Sequence, residues 1–151
     1  EKAVSDLKIS SLRDISVSDF ESRKSELDQT TYIRAFHAVT EMQRVIDAVA
    51  ALEANDFEMF GKIVTNCHQS LRDNYTVSCP ELDLATETAN KYGALGARMI
   101  GGGFGGSAIA LVKTEAVAMI KEKIAESFAQ ANFKVPRFFT STPQQGARVI
   151  D

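Results

Sequence analysis

Five of the six positions in Gly101-Gly102-Gly103-Phe104-Gly105-Gly106 are glycine, and seven of the chain's nine glycines lie between Gly93 and Gly106. Each glycine adds roughly 0.5–1 kcal/mol of ordering entropy relative to alanine in regular structure. A tight hairpin needs only one or two such residues. A cluster this dense asks for more than a change of direction. Either several residues take φ > 0, or another group approaches the main chain more closely than a Cβ would allow. Successive N–H groups in such a loop also form a concave site for anions. The plain alternative is a permissive wide hairpin.

The flanks decide what kind of loop this is. Gly101, Gly103 and Gly106 satisfy the pattern G-x-G-x-x-G, which binds dinucleotides only where a helix opens at the loop. Here the loop leads into Ser107-Ala108-Ile109-Ala110-Leu111-Val112, which is short, apolar and strand-like. The dinucleotide reading fails on context. A Walker loop ends in Gly-Lys followed by Ser or Thr, and Gly105-Gly106-Ser107 lacks the lysine. With Leu95 to Ile100 reading as a strand and Ser107 to Lys113 as another, the loop joins two strands directly, and the pair can be antiparallel.

At 151 residues the chain suits one domain. Its 44% apolar and 25% charged residues exclude a disordered chain. A formal net charge of −3 argues against a nucleic-acid binder. No apolar run approaches the ~20 residues of a membrane helix. The opening Glu1-Lys2 has no signal segment, and a piece of a longer protein is expected. Two cysteines, Cys67 and Cys79, make no disulfide framework and fit a reducing, cytoplasmic setting.

The first half reads as successive helices. Ser18 and Glu21 have capping-box spacing, with Phe20 and Leu27 able to face inward. Apolar residues at Ile33, Phe36, Val39, Met42, Val45, Ile46, Val49 and Leu52 predict a helix from about Thr31 to Ala54. Asn55-Asp56 breaks it and caps the next helix, whose stripe is Phe57, Phe60, Ile63, Val64, Cys67 and Leu71. Ser78 to Glu81 repeats the capping-box spacing before a short helix ending at Tyr92-Gly93. After the strand pair, Thr114 is expected to cap a helix with Val117, Ile120, Ile124 and Phe128 inward. Arg137 to Ser141 and Ala147 to Ile150 read as further strands around a turn with Pro143 and Gly146. The expected fold is α+β, a small mostly antiparallel sheet covered by helices on one side.

The stretch Gly96-Ala97-Arg98-Met99-Ile100-Gly101-Gly102-Gly103-Phe104-Gly105-Gly106 resembles the third signature motif of the GHMP small-molecule kinases, in the form typical of the galactokinase family. His68-Gln69-Ser70-Leu71-Arg72-Asp73 with Val77-Ser78-Cys79-Pro80-Glu81-Leu82-Asp83 resembles the segment upstream of that motif. Arg34, His37, Glu41 and Arg44 are similar to its R-x-x-H-x-x-x-E-x-x-R helix. The register runs from about Arg13 to Val149. Ile100 stands where the family often has Thr, Ser107 where it often has Cys, and Phe36 where a basic residue is common. None of these departures removes a glycine.

The resemblance implies that residues 1–151 are the ferredoxin-like C-terminal domain of such a kinase, with the ATP- and sugar-binding N-terminal half absent. It implies an enzyme that moves the γ-phosphoryl of ATP, with Mg²⁺, to the C1 hydroxyl of galactose. Gly101, Gly102, Gly103, Phe104, Gly105, Gly106 and Ser107 would face the nucleotide as one wall of its cleft. The resemblance places no catalytic residue and no metal ligand in this chain, so the isolated chain is expected to be inactive. Its partners would be the N-terminal half and the sugar. The alternatives are another GHMP kinase, acting on mevalonate, homoserine or a related alcohol, and a non-catalytic galactokinase-like sensor.

Other residues have simpler readings. Arg34, His37, Glu41 and Arg44 share a helical stripe and suit an ion-pair row. Cys67 reads as a small core residue. Asp83 reads as a charge at a helix start. Phe104 is expected to tuck between elements, and the Ser107 hydroxyl to bond backbone. Arg98 suits either a carboxylate or a phosphate. His37, His68, Cys67 and Cys79 lack zinc-ligand spacing.

Overall fold

The computed structural model describes residues 1–143 and residue 146. It opens with a short helix, α1 (Lys2–Asp6), that no sequence pattern announced. A single 3-10 turn (Leu12–Asp14) leads to α2 (Val17–Ser22). The cap of α2 is Ser16, whose Oγ accepts the Asp19 N–H at 3.1 Å, and not Ser18. The choice is hydrophobic. Ile15 before this cap and Phe20 at the fourth helical position both join the cluster of Ala3, Leu7, Ala35 and Val39, the spacing of a hydrophobic staple. A cap at Ser18 would place polar Ser22 where Phe20 now sits.

Two long helices follow. Asp28 Oδ1 accepts the Thr31 N–H at 2.9 Å and starts α3 (Gln29–Glu53). Asn55 then takes φ 55° and Asp56 Oδ1 accepts the Met59 N–H at 2.9 Å, which begins α4 (Phe57–Asp73) as the sequence suggests. Next comes α5 (Pro80–Lys91), with Pro80 in its first position and Cys79 at the cap. Ser78 is not the cap. Its hydroxyl donates instead to Asp83 Oδ1 at 2.5 Å.

The strands β1 (Gly96–Ile100) and β2 (Ser107–Leu111) pair antiparallel, with Ala97 opposite Ala110 and Ile100 opposite Ser107. Then α6 (Val117–Gln130) buries Ile120, Ile124 and Phe128, the inward face its spacing predicts except for half-buried Val117. Thr114 does not cap it: Thr114–Ala116 is a 3-10 turn, and Ala116 occupies the cap position without a side-chain bond. Arg137–Ser141 is not a strand. Lys121 Nζ of α6 donates to Thr140 Oγ1 at 2.7 Å, but no strand edge lies beside the segment among the described residues, and strand propensity forms no ladder without a neighbouring edge. Residues 144–145 of the expected turn and the expected strand Ala147–Ile150 lie outside the described residues. The architecture is a helix-rich α+β fold with a small two-stranded antiparallel sheet among the described residues.

Helix α4 lies between α3 and β1, and α5 packs on both strands and on α6. Ala97 and Met99 are buried on the helix side of the sheet, whereas Ile100 and Ile109 stay exposed. The α4–β1 crossing is set by two glycines. A Cβ on Gly61 would lie 2.1 Å from the Leu95 carbonyl oxygen, and one on Gly96 would lie 2.0 Å from that of Gly61. Only hydrogen fits at this crossing. Seven residues, about two turns, separate Gly61 from His68, so the same helix face brings His68 to β1.

Candidate functional site

The glycine loop is a bare strand-to-strand connection. Gly101, Gly103, Phe104, Gly105 and Gly106 all have positive φ, so five of six positions adopt the region that L side chains rarely enter. The loop lines an open concavity of about 500 Å³ running from Ile100 to Ser107. Its close approach lies at one point. A Cβ on Gly103 would sit 2.2 Å from the Val77 carbonyl oxygen. That carbonyl accepts the Phe104 N–H at 2.7 Å.

Phe104 therefore anchors the loop by its main chain, and its ring is 76% exposed. The expectation of a tucked side chain fails because the backbone makes the contact. Ser107 is exposed and its hydroxyl has no partner among the described residues, so it does not bond backbone either. Arg98 is occupied locally: its Nε donates to the Met99 carbonyl at 3.0 Å. Across from the loop, Thr76 takes φ 58°. A β-branched residue in that region costs about 1–3 kcal/mol and persists only when its surroundings over-determine it.

Sequence reasoning missed the support behind the loop. His68 is buried, and its Nδ1 accepts the Met99 N–H at 3.3 Å. An accepting Nδ1 places the ring proton on Nε2. Nε2 lies 3.2 Å from Asp83 Oδ1 but falls short of an aligned hydrogen bond. Burial holds the His68 pKa below its ordinary value, with Asp83 opposing that shift. Asp83 thus does more than charge a helix start: it faces His68 and receives the Ser78 hydroxyl.

The α3 residues divide. Arg34 is exposed without an ion pair among the described residues. His37 is buried, with Nδ1 2.9 Å from Ser70 Oγ and its ring stacked on Tyr75 at 4.7 Å. Glu41 pairs with Arg44 and accepts the Cys67 thiol at 2.8 Å. The expected ion-pair row is thus confined to Glu41 and Arg44. Burial, then that hydrogen bond, pushes the Cys67 thiol up to about 12. Cys67 and Cys79 are both free. No group of three His, Cys, Asp or Glu is placed to hold a metal among the described residues. No described helix is long and apolar enough to cross a membrane.

Residues 48–130, more than half of the chain, match the family described as GHMP kinases C terminal. The chain belongs to that family, and its fold agrees. Among curated proteins it is similar to galactokinases. It is 43% identical over 150 residues to that of Streptomyces coelicolor, covering 98% of this chain and 39% of that protein. It is 39% identical over 157 residues to that of Haemophilus influenzae, covering 99% of this chain and 40% of the relative.

Solved structures agree. The galactose complex of Lactococcus lactis galactokinase matches with a TM-score of 0.82 and 37% identity, over 86% of this chain and 35% of that one. The R-mevalonate complex of L. major mevalonate kinase matches with a TM-score of 0.50 and 27% identity, over 84% and 36%. The chain spans about 39% of the length of the first of these curated relatives.

Proposed function

We propose that this chain is the C-terminal domain, residues 1–151, of a cytoplasmic galactokinase that transfers the γ-phosphoryl of ATP to the C1 hydroxyl of galactose. Gly101–Gly106 and Ser107 form one wall of the nucleotide cleft. The observation that supports this is the loop itself, with positive φ at five of its six positions and an open concavity on a two-strand support. Phe104 apart, whose N–H is held by Val77, the glycine N–H groups of such a loop suit anionic phosphate oxygens. The choice of galactose follows the relatives, which are galactokinases. A TM-score of 0.82 to a galactokinase against 0.50 to a mevalonate kinase favours the sugar over the alternative alcohol.

Phosphoryl transfer depends on positioning and charge stabilisation, with the metal held on phosphate oxygens. The described residues offer no acid cluster for Mg²⁺. In this reading its protein ligands and the catalytic groups belong to the remainder of the kinase, and the isolated chain is inactive. That remainder is also the partner of an exposed apolar row, Val45, Ile46, Val49 and Leu52 on α3. Relatives more than twice as long as this chain support such an occupant. The test is ADP release from MgATP with galactose, mevalonate or homoserine as acceptor. Turnover with galactose by the full-length protein and none by this chain is expected. Turnover by the chain alone, or a full-length protein that prefers another alcohol, would overturn the proposal.

A further inference from the structure

Two holds on the glycine loop arise from neighbouring residues of the α4–α5 connection. Val77 grips the tip through its carbonyl, 2.7 Å from the Phe104 nitrogen. Ser78 reaches the strand that enters the loop by a relay: its hydroxyl binds Asp83, Asp83 faces His68 Nε2, and His68 Nδ1 takes the Met99 N–H. In an antiparallel pair, alternate residues point their N–H groups away from the partner strand. The Met99 N–H is met by an imidazole rather than by another strand, so a side chain fixes this edge of β1.

We propose that His68 and Asp83 are positioning residues for the glycine loop: the imidazole fixes β1 one residue before Ile100, and the carboxylate fixes the imidazole. The conformation they help maintain is a demanding one. Thr76 and Phe104 lie on either side of the Val77–Phe104 hydrogen bond, and both have φ near 60°. Neither is glycine, so the loop keeps this geometry only while its supports hold. Gly61 makes the arrangement possible by letting α4 close on β1, which brings His68 within reach of Met99. The consequence for ATP rests on the loop being a nucleotide wall; the positioning itself does not.

The relay works with a neutral imidazole, since a proton on Nδ1 would face the Met99 N–H. The charged groups acting on His68 are Asp83 and Glu87 from α5 and Arg72 and Asp73 from its own helix; from β1 it meets the Met99 amide. The test is an NMR pH titration of the ¹⁵N-labelled full-length protein. The amide shifts of Met99 and Phe104 should move with one midpoint, shared with the His68 ring. Asp83→Asn removes the facing anion, so all three midpoints should fall together. His68→Asn keeps an acceptor near the Nδ1 position but does not titrate, so the pH response at Phe104 should be lost.

A Phe104 amide that stays still while His68 titrates would overturn the proposal, as would a Phe104 midpoint unmoved when that of His68 falls in Asp83→Asn. The wild-type titration decides by itself if a variant fails to fold. The KM for ATP gives the second readout: His68→Gln should raise it several-fold, with a smaller change in kcat. Coupled amide shifts with an unchanged KM would sustain the positioning and overturn the nucleotide-wall reading instead.

Discussion

The two halves of α3 carry the same apolar spacing and meet opposite surroundings. In the first half, Ala35 and Val39 are buried, with Phe36 and Met42 packed against the same cluster. Tyr32 stacks between Phe20 and Phe36 at 5.6 and 5.9 Å. In the second half, Val45 and Ile46 are each 63% exposed, and Val49 and Leu52 are also open. Steps of three and four identify a stripe that needs cover; they say nothing of what provides it. Here Ala3 of α1, Leu12 of the 3-10 turn and Phe20 of α2 pack with Ala35 and Val39 and cover the first half.

The largest effect should therefore come from the covered half. Phe20 is completely buried, and truncating such an aromatic typically removes about 3–5 kcal/mol. Phe20→Ala should lower the stability of the chain by that amount in urea unfolding. A loss below about 1 kcal/mol would mean that the N-terminal cluster is not cooperative with the rest, and the contrast between the halves would fail.

A pH experiment sharpens the same contrast. His37 reports on the covered half of α3 and His68 on the α4–β1 crossing, and burial lowers both pKa values from 6.5. Between each lowered value and 6.5 the unfolded chain binds more protons than the folded one, so stability rises with pH. The contribution is complete above 6.5 and is lost as pH falls through the folded values. The slope is limited to about 1.4 kcal/mol per pH unit for each histidine. Urea midpoints should fall from pH 7 to pH 5.5, and His37→Gln should flatten part of that fall. A profile unchanged by His37→Gln would place that ring in water, against its contacts with Ser70 and Tyr75.

Much of this was legible in the residues. The glycine density and apolar flanks are local properties, so the strand–loop–strand unit could be read directly, and Asn55-Asp56 marked a true helix boundary. Caps were less legible, because Ser16 and Ser18 offer the same hydroxyl and the staple between Ile15 and Phe20 selects one of them. Arg137–Ser141 has strand-forming residues, but pairing depends on an edge that no local pattern encodes. The site's support was hidden for a similar reason. His68, Asp83 and Met99 lie far apart in sequence and meet only because Gly61 and Gly96 admit close packing. A glycine, Gly61, inside an otherwise helical stripe was the available signal.

The smallest expected effect tests the exposed half. Ile46→Ala removes a solvent-facing side chain and adds a better helix former, worth a few tenths of a kcal/mol. In this chain its stability change should stay within about 0.5 kcal/mol of zero. In the full-length protein, if the remainder covers this row, the same substitution should cost what a buried aliphatic does, about 2–5 kcal/mol. Comparing urea unfolding in the two hosts isolates the cover itself. A large loss in this chain would mean that its own residues cover Ile46. A negligible loss in both would leave the row without an occupant, and the shared spacing along α3 would then reflect helix formation alone rather than two separate packing surfaces.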